Sequence, residues 1–369
     1  MKIYEKLGIK TGINAVGTVT RLGGTRLSNE VAEAMVDAGK FYIPMFEFHK
    51  KAGEYVAGLL DVEGCCITCG AAAGLAISSA ACMTKGESSK VLQLPDTTGM
   101  PNEVLILKAH RILYDQALGL SGIKVRELGE IDSATIDLVK EAISEKTALF
   151  MYIAEREDTK GSIPLSALIP LLRQQGVPLV VDAAAEIPPV ENINKYLDLG
   201  VDLILFSGGK EIRGPQTSGL ILGKKELIDA CNANCCPNYS IGRAMKISKE
   251  TVAGLVAAIE VFVRKDYTKQ QQMWEEMSGR IYASLENRND VSVRLGYPTE
   301  PGTQPTSILR VYIKPLKLDV ADMQDKLLNQ STPVYVDIVE DEIVINPQCL
   351  ETGELEPLIE ILIQTLGEN

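Results

Sequence analysis

Between residues 60 and 225, short apolar runs alternate with longer stretches in which apolar positions recur at helical spacing. The runs Cys65–Thr68, Val104–Leu107, Lys124–Glu127, Ala148–Ile153, Leu179–Val181, Leu203–Phe206 and Gly219–Leu222 read as strands. Several show no polar alternation, the pattern of strands covered on both faces of a sheet. Ala71–Met83, Ala134–Ser144 and Leu165–Gln175 read as helices between them. This alternation predicts an α/β fold built on a large, mostly parallel, seven-stranded sheet. Residues 208–218 are too few and too glycine-rich for a helical crossover, so the last strand is expected to enter antiparallel.

Past Ile247 the pattern changes. One long helical region is predicted from Ser248 to Glu286, with at most a gentle interruption. Strand candidates follow at Val291–Arg294, Ser307–Tyr312, Pro333–Asp337 and Glu342–Ile345. A closing helix spans Glu356–Leu366, with Pro357 suited to its first turn. The expected organisation is an N-terminal arm over residues 1–50, a large α/β domain over 51–247 and a small α+β domain over 248–369. A chain of 369 residues is long enough for two cores.

Composition narrows the function classes. The chain is 46% hydrophobic and 23% charged, without low-complexity tracts or short-period repeats. No apolar stretch reaches the roughly 20 residues of a membrane span, and the first residues lack the apolar core of a signal peptide. A cytoplasmic protein without a membrane partner is expected. The net charge of −12 opposes polyanions, and basic residues are not interleaved with aromatics, so nucleic acid is not expected as a partner. Eight cysteines without an export signal argue against a disulfide framework. Cys66 and Cys69 have a C-x-x-C spacing, but no histidine stands near them, so buried reduced thiols are favoured over a metal site.

Three segments carry candidate chemistry. Asp202–Lys210 is an apolar strand that empties into Ser207-Gly208-Gly209-Lys210. A lysine there can project into the crevice above a sheet edge, where partial desolvation lowers its pKa and makes the amine nucleophilic. An ordinary surface lysine is the alternative. Leu179–Ala185 is an apolar strand that ends in Asp182, a carboxylate suited to hold a pyridine nitrogen protonated. A helix N-cap is the alternative there. Ile67–Leu75 turns through small residues into a helix, so backbone N–H groups of Gly70, Ala71 and Ala72 face a positive helix end, a phosphate site. Close helix–sheet packing explains the same small residues.

Taken together and in this order, the segments resemble the pyridoxal phosphate (PLP) enzymes of the aspartate-aminotransferase fold, fold type I. Within that superfamily the chain is similar to the branch of bacterial selenocysteine synthase and the D-glucosaminate-6-phosphate ammonia-lyases, with the stronger likeness to the latter. The resemblance rests on Ile13–Gly24, Cys69–Leu75, Val181–Ala184, Phe206–Gln216 and Ile241–Lys246. It implies Lys210 as the lysine in imine linkage to PLP, Asp182 on the pyridine nitrogen, and Gly70, Ala71 and Ser207 around the cofactor phosphate. It also implies His110 as a planar side chain stacked on the ring; a loop histidine bonded to backbone is the alternative. Arg310, in an apolar strand, is the candidate for the substrate carboxylate, and a structural ion pair is its alternative. Arg21 and Arg213 are candidates for a distal substrate phosphate or for a subunit contact. A homodimer or larger even assembly is implied in the same way.

Two reactions compete. In the first, a phosphorylated amino sugar acid loses water across Cα and Cβ and then ammonia. In the second, the chain transfers selenium on seryl-tRNA. Charge favours the first, as does the early start of the Ile13-Asn14-Ala15 motif, which leaves no room for an extra N-terminal tRNA-binding region. A PLP-binding protein without turnover is a third reading.

Overall fold

The computed structural model describes residues 3–299 and 303–367. Contacts divide the chain into two compact units, Leu27–Lys265 and Met1–Arg26 with Asp266–Asn369. The expected boundaries lay instead at 50 and 247.

The unit Leu27–Lys265 is organised by a seven-stranded sheet. Its strands are β1 (Cys65–Thr68), β2 (Glu103–Leu107), β3 (Lys124–Leu128), β4 (Thr147–Ile153), β5 (Leu179–Asp182), β6 (Leu203–Ser207) and β7 (Gly219–Gly223). They lie in the order β1-β7-β6-β5-β4-β2-β3, parallel except for β7, which runs antiparallel to both neighbours. The short 208–218 connection imposes that reversal, as its length requires. Central strands are continuous buried runs: Val104 to Leu107, Leu149 to Met151 and Leu203 to Leu205 are wholly enclosed. The edge strand β3 reads Lys-Val-Arg-Glu-Leu and is largely exposed, the charged composition that discourages a further strand from pairing. Helix Ala71–Thr84 crosses the sheet with every residue from Ala73 onward buried. Its small side chains permit that depth. A Cβ added at Gly74 would stand 3.3 Å from Leu205 Cδ2.

The sequence-predicted long helix breaks in two. Helix Lys249–Arg264 belongs to this unit, held to helix Asn29–Gly39 by Lys249 Nζ donating to Ala38 O at 2.6 Å. Helix Tyr267–Leu285 starts afresh because the Asp266 carboxylate accepts from the Lys269 N–H and caps it. The break is sharp, and it coincides with the boundary between units.

The other unit carries a four-stranded antiparallel sheet in the order Asp337–Val339, Glu342–Ile345, Arg310–Pro315, Val291–Gly296. Helices Tyr267–Leu285 and Leu355–Leu366 close its core through Met277, Ile281, Leu285, Leu358 and Leu362. Two strand expectations shift. Ser307–Tyr312 is found at Arg310–Pro315, and Pro333–Asp337 is divided into Val334–Tyr335 and a separate strand beginning at Asp337. Val334–Tyr335 pairs in parallel with Ile13–Asn14, so the first part of the expected arm is built into this unit.

Candidate active site

The loop after β6 is folded against the chain that returns to β7, and this is why it reads Ser-Gly-Gly-Lys. Gly208 N–H donates to Ser218 O at 2.9 Å, and Gly214 N–H donates back to Gly208 O at 2.8 Å. A Cβ at Gly208 would lie 2.2 Å from Ser218 Oγ, and one at Gly209 would lie 2.5 Å from the Gln216 Cα. The Gly-Pro-Gln segment thus fills the space that side chains at 208 and 209 would need. Arg213 takes a left-handed conformation, φ 57°, while its N–H closes a turn on Lys210 O at 2.8 Å. Glu211, its side chain fully enclosed, accepts from Lys265 Nζ at 3.0 Å and ties the loop down. Lys210 is left half-buried on a rigid tether. Burial lowers the Lys210 pKa, opposed by the charges of Asp182, Glu155 and Glu186. Three carboxylates acting on a half-buried amine distinguish Lys210 from an ordinary surface lysine.

Asp182 ends β5 directly beside β6, in register with Leu205. Its Oδ1 accepts from the Ala184 N–H at 3.0 Å. No helix begins there; the next one starts at Asn192, so the N-cap alternative is set aside. Burial raises the Asp182 pKa, with the Ala184 N–H and Lys210 pulling the other way. A buried carboxylate with so few partners favours a cationic N–H beside it.

The third piece lies on the same edge of the sheet. Thr68, Gly219 and Ser207 are aligned across β1, β7 and β6. Helix Ala71–Thr84 therefore begins next to Ser207. A Cβ at Gly219 would fall 2.6 Å from the Gly70 carbonyl carbon and 2.9 Å from the Ala71 nitrogen, so only glycine lets the helix start this close. Gly70 itself has φ 141°, which L side chains rarely adopt. No side chain caps this helix, so the N–H groups of Ala71 and Ala72 point out of its positive end. A nucleophilic amine, a buried carboxylate and an uncapped helix terminus at one sheet edge fit PLP: aldehyde, pyridine nitrogen and phosphate each have a complementary group.

His110 lies beside Tyr152. Its ring is wholly buried and lies 4.3 Å from the Tyr152 ring at an angle of 60°. Nδ1 accepts from the Ile153 N–H at 3.0 Å, which places the proton on Nε2, and Nε2 faces Ser162 Oγ at 2.9 Å. Burial and the nearby Arg156 charge lower its pKa to about 4. The ring is neutral, both nitrogens are used and no face is open. Through these contacts His110 links the end of β2 to β4 and to Ser162, as the backbone-bonded alternative describes.

Two residues of the site escape sequence inspection. Glu155 follows β4 and Glu186 follows β5, on adjacent parallel strands paired at Ile153 and Asp182. Both carboxylates act electrostatically on Lys210. Glu186 is 9% exposed, and burial with the Glu155 charge raises its pKa to about 7. Polar residues in loops look alike in sequence; only strand order brings these two together.

Arg310 and Arg21 belong to the other unit. Arg310 is buried, with Nη2 donating to the carbonyls of Pro305 at 3.3 Å and Gln304 at 3.4 Å. Arg21 is exposed and pairs with Asp337 at 2.6 Å. Burial pushes the thiols of Cys65, Cys69, Cys82 and Cys231 up in pKa, and a hydrogen bond with Cys235 together with burial does so for Cys66.

Comparison with known proteins agrees with this geometry. Residues 12–351 match the family model described as SelA, L-seryl-tRNA selenium transferase. The chain is 32% identical over 372 residues to a D-glucosaminate-6-phosphate ammonia lyase of Salmonella typhimurium, covering 97% of this chain and 96% of that protein. It is 33% identical to a 5'-C-glycyluridine monooxygenase-decarboxylase of a Streptomyces, over 79% of this chain and 73% of the other. An L-seryl-tRNA(Sec) selenium transferase of Nitratidesulfovibrio vulgaris is 25% identical, with 96% of this chain and 81% of that one covered. A solved D-glucosaminate-6-phosphate ammonia-lyase structure superposes with a TM-score of 0.85 at 29% identity, covering 99% and 98% of the two chains. An aspartate aminotransferase of Thermotoga maritima, 13% identical with a TM-score of 0.55, shares the fold. The chain belongs to the L-seryl-tRNA selenium transferase family, and it is a PLP-dependent enzyme of the aminotransferase fold.

Gly209→Ala should destabilise the unit by about 1–3 kcal/mol, because the new methyl meets backbone rather than a movable side chain. Denaturant unfolding checks this, and an unchanged midpoint would contradict the packing account. Borohydride reduction followed by peptide mass mapping should fix the cofactor to Lys210 and to no other lysine. Asp182→Asn should retain cofactor while losing about 2–4 kcal/mol of transition-state stabilisation, roughly 30- to 1000-fold in turnover. Wild-type turnover in that variant would leave Asp182 without a chemical role.

Proposed function

From this family membership we propose that the enzyme is an ammonia-lyase acting on a phosphorylated 2-amino sugar acid, D-glucosaminate 6-phosphate or a close relative. The products would be 2-keto-3-deoxygluconate 6-phosphate, or its analogue, and ammonia. The observation that carries the reading is the 32% identity to the Salmonella ammonia lyase along nearly the whole of both chains. The charge of −12 supports it against a tRNA substrate.

When bound, PLP supplies an electron sink for the pair left behind as the substrate's α-proton is removed. The chain's residues do the rest. The N–H groups of Gly70, Ala71 and Ala72 and the Ser207 hydroxyl hold the cofactor phosphate at the helix end. Asp182 keeps the ring nitrogen protonated, helped by its burial. Lys210 takes the α-proton on Nζ, a role suited to an amine whose pKa is lowered by desolvation. Arg310 is the proposed partner of the substrate carboxylate, its fork already oriented by the Pro305 carbonyl. Arg213, on the loop of Lys210, and Arg21, which would exchange Asp337 for a phosphate oxygen, are the proposed readers of the distal phosphate.

The enzyme would work as a homodimer or larger even assembly. The segment around Phe41, Tyr42 and Phe46 supports this, since it presents large apolar side chains to solvent in the isolated chain. No helix among the described residues is long and apolar enough to cross a membrane. A cytoplasmic location suits a small-molecule substrate of this kind.

Ammonia should be released from phosphorylated 2-amino sugar acids with no RNA and no selenium donor present. Arg310→Lys should raise KM by at least tenfold, because an ammonium cannot form the paired bonds a carboxylate accepts from guanidinium. Tight, salt-sensitive binding of bulk tRNA in a filter assay, with no ammonia from any sugar acid, would favour selenium transfer instead.

A further inference from the structure

Elimination of water needs a proton for the departing hydroxyl, and a second acid beside Lys210 would supply it without calling on the amine that carries the α-proton. The carboxyl edge of the sheet offers another source. Glu155, on the turn after β4, and Glu186, on the turn after β5, leave neighbouring parallel strands next to the end of β6, the strand that leads to Lys210. Three carboxylates, these two and Asp182, thus act electrostatically on one amine. Asp182 is accounted for by the pyridine nitrogen. Glu155 has a guanidinium beside it, Arg156 Nε at 3.6 Å. Glu186 is different: its main chain is held, by its own N–H on Ala183 O and by the Asn192 amide on its carbonyl, yet no hydrogen bond or ion pair engages its carboxylate among the described residues. A side chain more than nine-tenths buried, with a fixed backbone and an unengaged carboxylate, is positioned to hold a proton and to deliver it.

We propose that Glu186 is the general acid of the elimination, giving its proton to the leaving β-hydroxyl, with Glu155 as the neighbouring charge that keeps Glu186 protonated. The proposal rests on the lyase reading above. The α-proton passes first to Lys210 Nζ, and in the following step the electron pair it leaves behind becomes the Cα–Cβ double bond. The Cβ–O bond breaks, and the oxygen takes the Glu186 proton and leaves as water. Glu186 then regains a proton from solvent. No oxidant or further reactant is needed.

The surroundings support this assignment. Glu186 is pushed up to about 7, first by burial, then by the Glu155 charge, with Asp182 and Glu157 adding to it and Lys210 opposing. Glu155 is itself raised by burial, with Arg156 opposing. On the far side the buried Tyr196 hydroxyl, held up in pKa by burial and by the Glu186 and Glu157 charges, stays neutral, while Lys195 acts on Glu157. The acid form of Glu186 is present below about pH 7 and is lost as pH rises through that value, so the reaction should show a basic limb there.

Glu186→Gln preserves shape and removes the proton. It should cut ammonia release from the hydroxyl substrate by about 10²–10⁴-fold and abolish the basic limb. It should leave untouched the exchange of the substrate α-proton with deuterated solvent, and elimination from a β-chloro amino acid, whose leaving group needs no proton. Glu155→Gln should move the basic limb to lower pH, since removing that charge lowers the Glu186 pKa. In cofactor-free protein, infrared difference spectra should show a protonated carboxyl that titrates near pH 7 in the wild type and is missing from Glu186→Gln. Wild-type ammonia release by Glu186→Gln, or an equal loss of α-exchange, would overturn the proposal. If the wild type releases no ammonia from any sugar acid, the lyase reading fails instead, and the infrared titration still decides whether Glu186 holds the proton.

Discussion

The desolvation of one amine governs this site. Lys210 leaves β6 at the edge of a sheet whose central strands are buried on both faces, and the loop that carries it has no slack. Burial alone would make an ammonium costly, and the answer is to surround it with carboxylates rather than to expose it. The outcome is an amine whose pKa is lowered by desolvation and held up by the carboxylate charges, the direction that covalent capture of an aldehyde and later proton abstraction both favour. The same burial sets the neighbouring groups. It raises Asp182 and Glu186 and keeps His110 neutral.

Parallel strand topology supplies the second constraint. Asp182, Ser207 and the residues after β4 share an edge because their strands run the same way. β7 runs the other way, so its first residue, Gly219, reaches that edge and admits the start of helix Ala71–Thr84. One antiparallel strand thus brings the uncapped helix end to the edge that carries Asp182 and Ser207. The short connection from Lys210 to β7 is what makes the reversal necessary, so the loop that presents the amine also places the helix.

Much of this was legible in the chain because it is written in local patterns. Continuous apolar runs gave the seven strands, and the glycine-rich 208–218 segment gave the reversal. The order Cys69–Leu75, Asp182, Lys210 pointed to three segments that the strands bring to one edge of the sheet. What local patterns could not give depended on long-range packing. Helix 249–264 and helix 267–285 look continuous until the Asp266 cap is seen to separate them. The partners of the two His110 nitrogens, Ile153 and Ser162, are distant from it in sequence. Glu155 and Glu186 gain meaning only from strand adjacency.

The central claim, that the site is built around a desolvated Lys210 amine sustained by Asp182, is tested most directly by its titration. Nitrogen-15 NMR of cofactor-free protein with labelled lysine, assigned through Lys210→Arg, would follow the amine with pH. The account predicts an Lys210 pKa below the ordinary lysine range in the wild type, and lower again in Asp182→Asn, where the supporting charge is gone. An amine that titrates at the ordinary value, or that does not respond to Asp182→Asn, would contradict it.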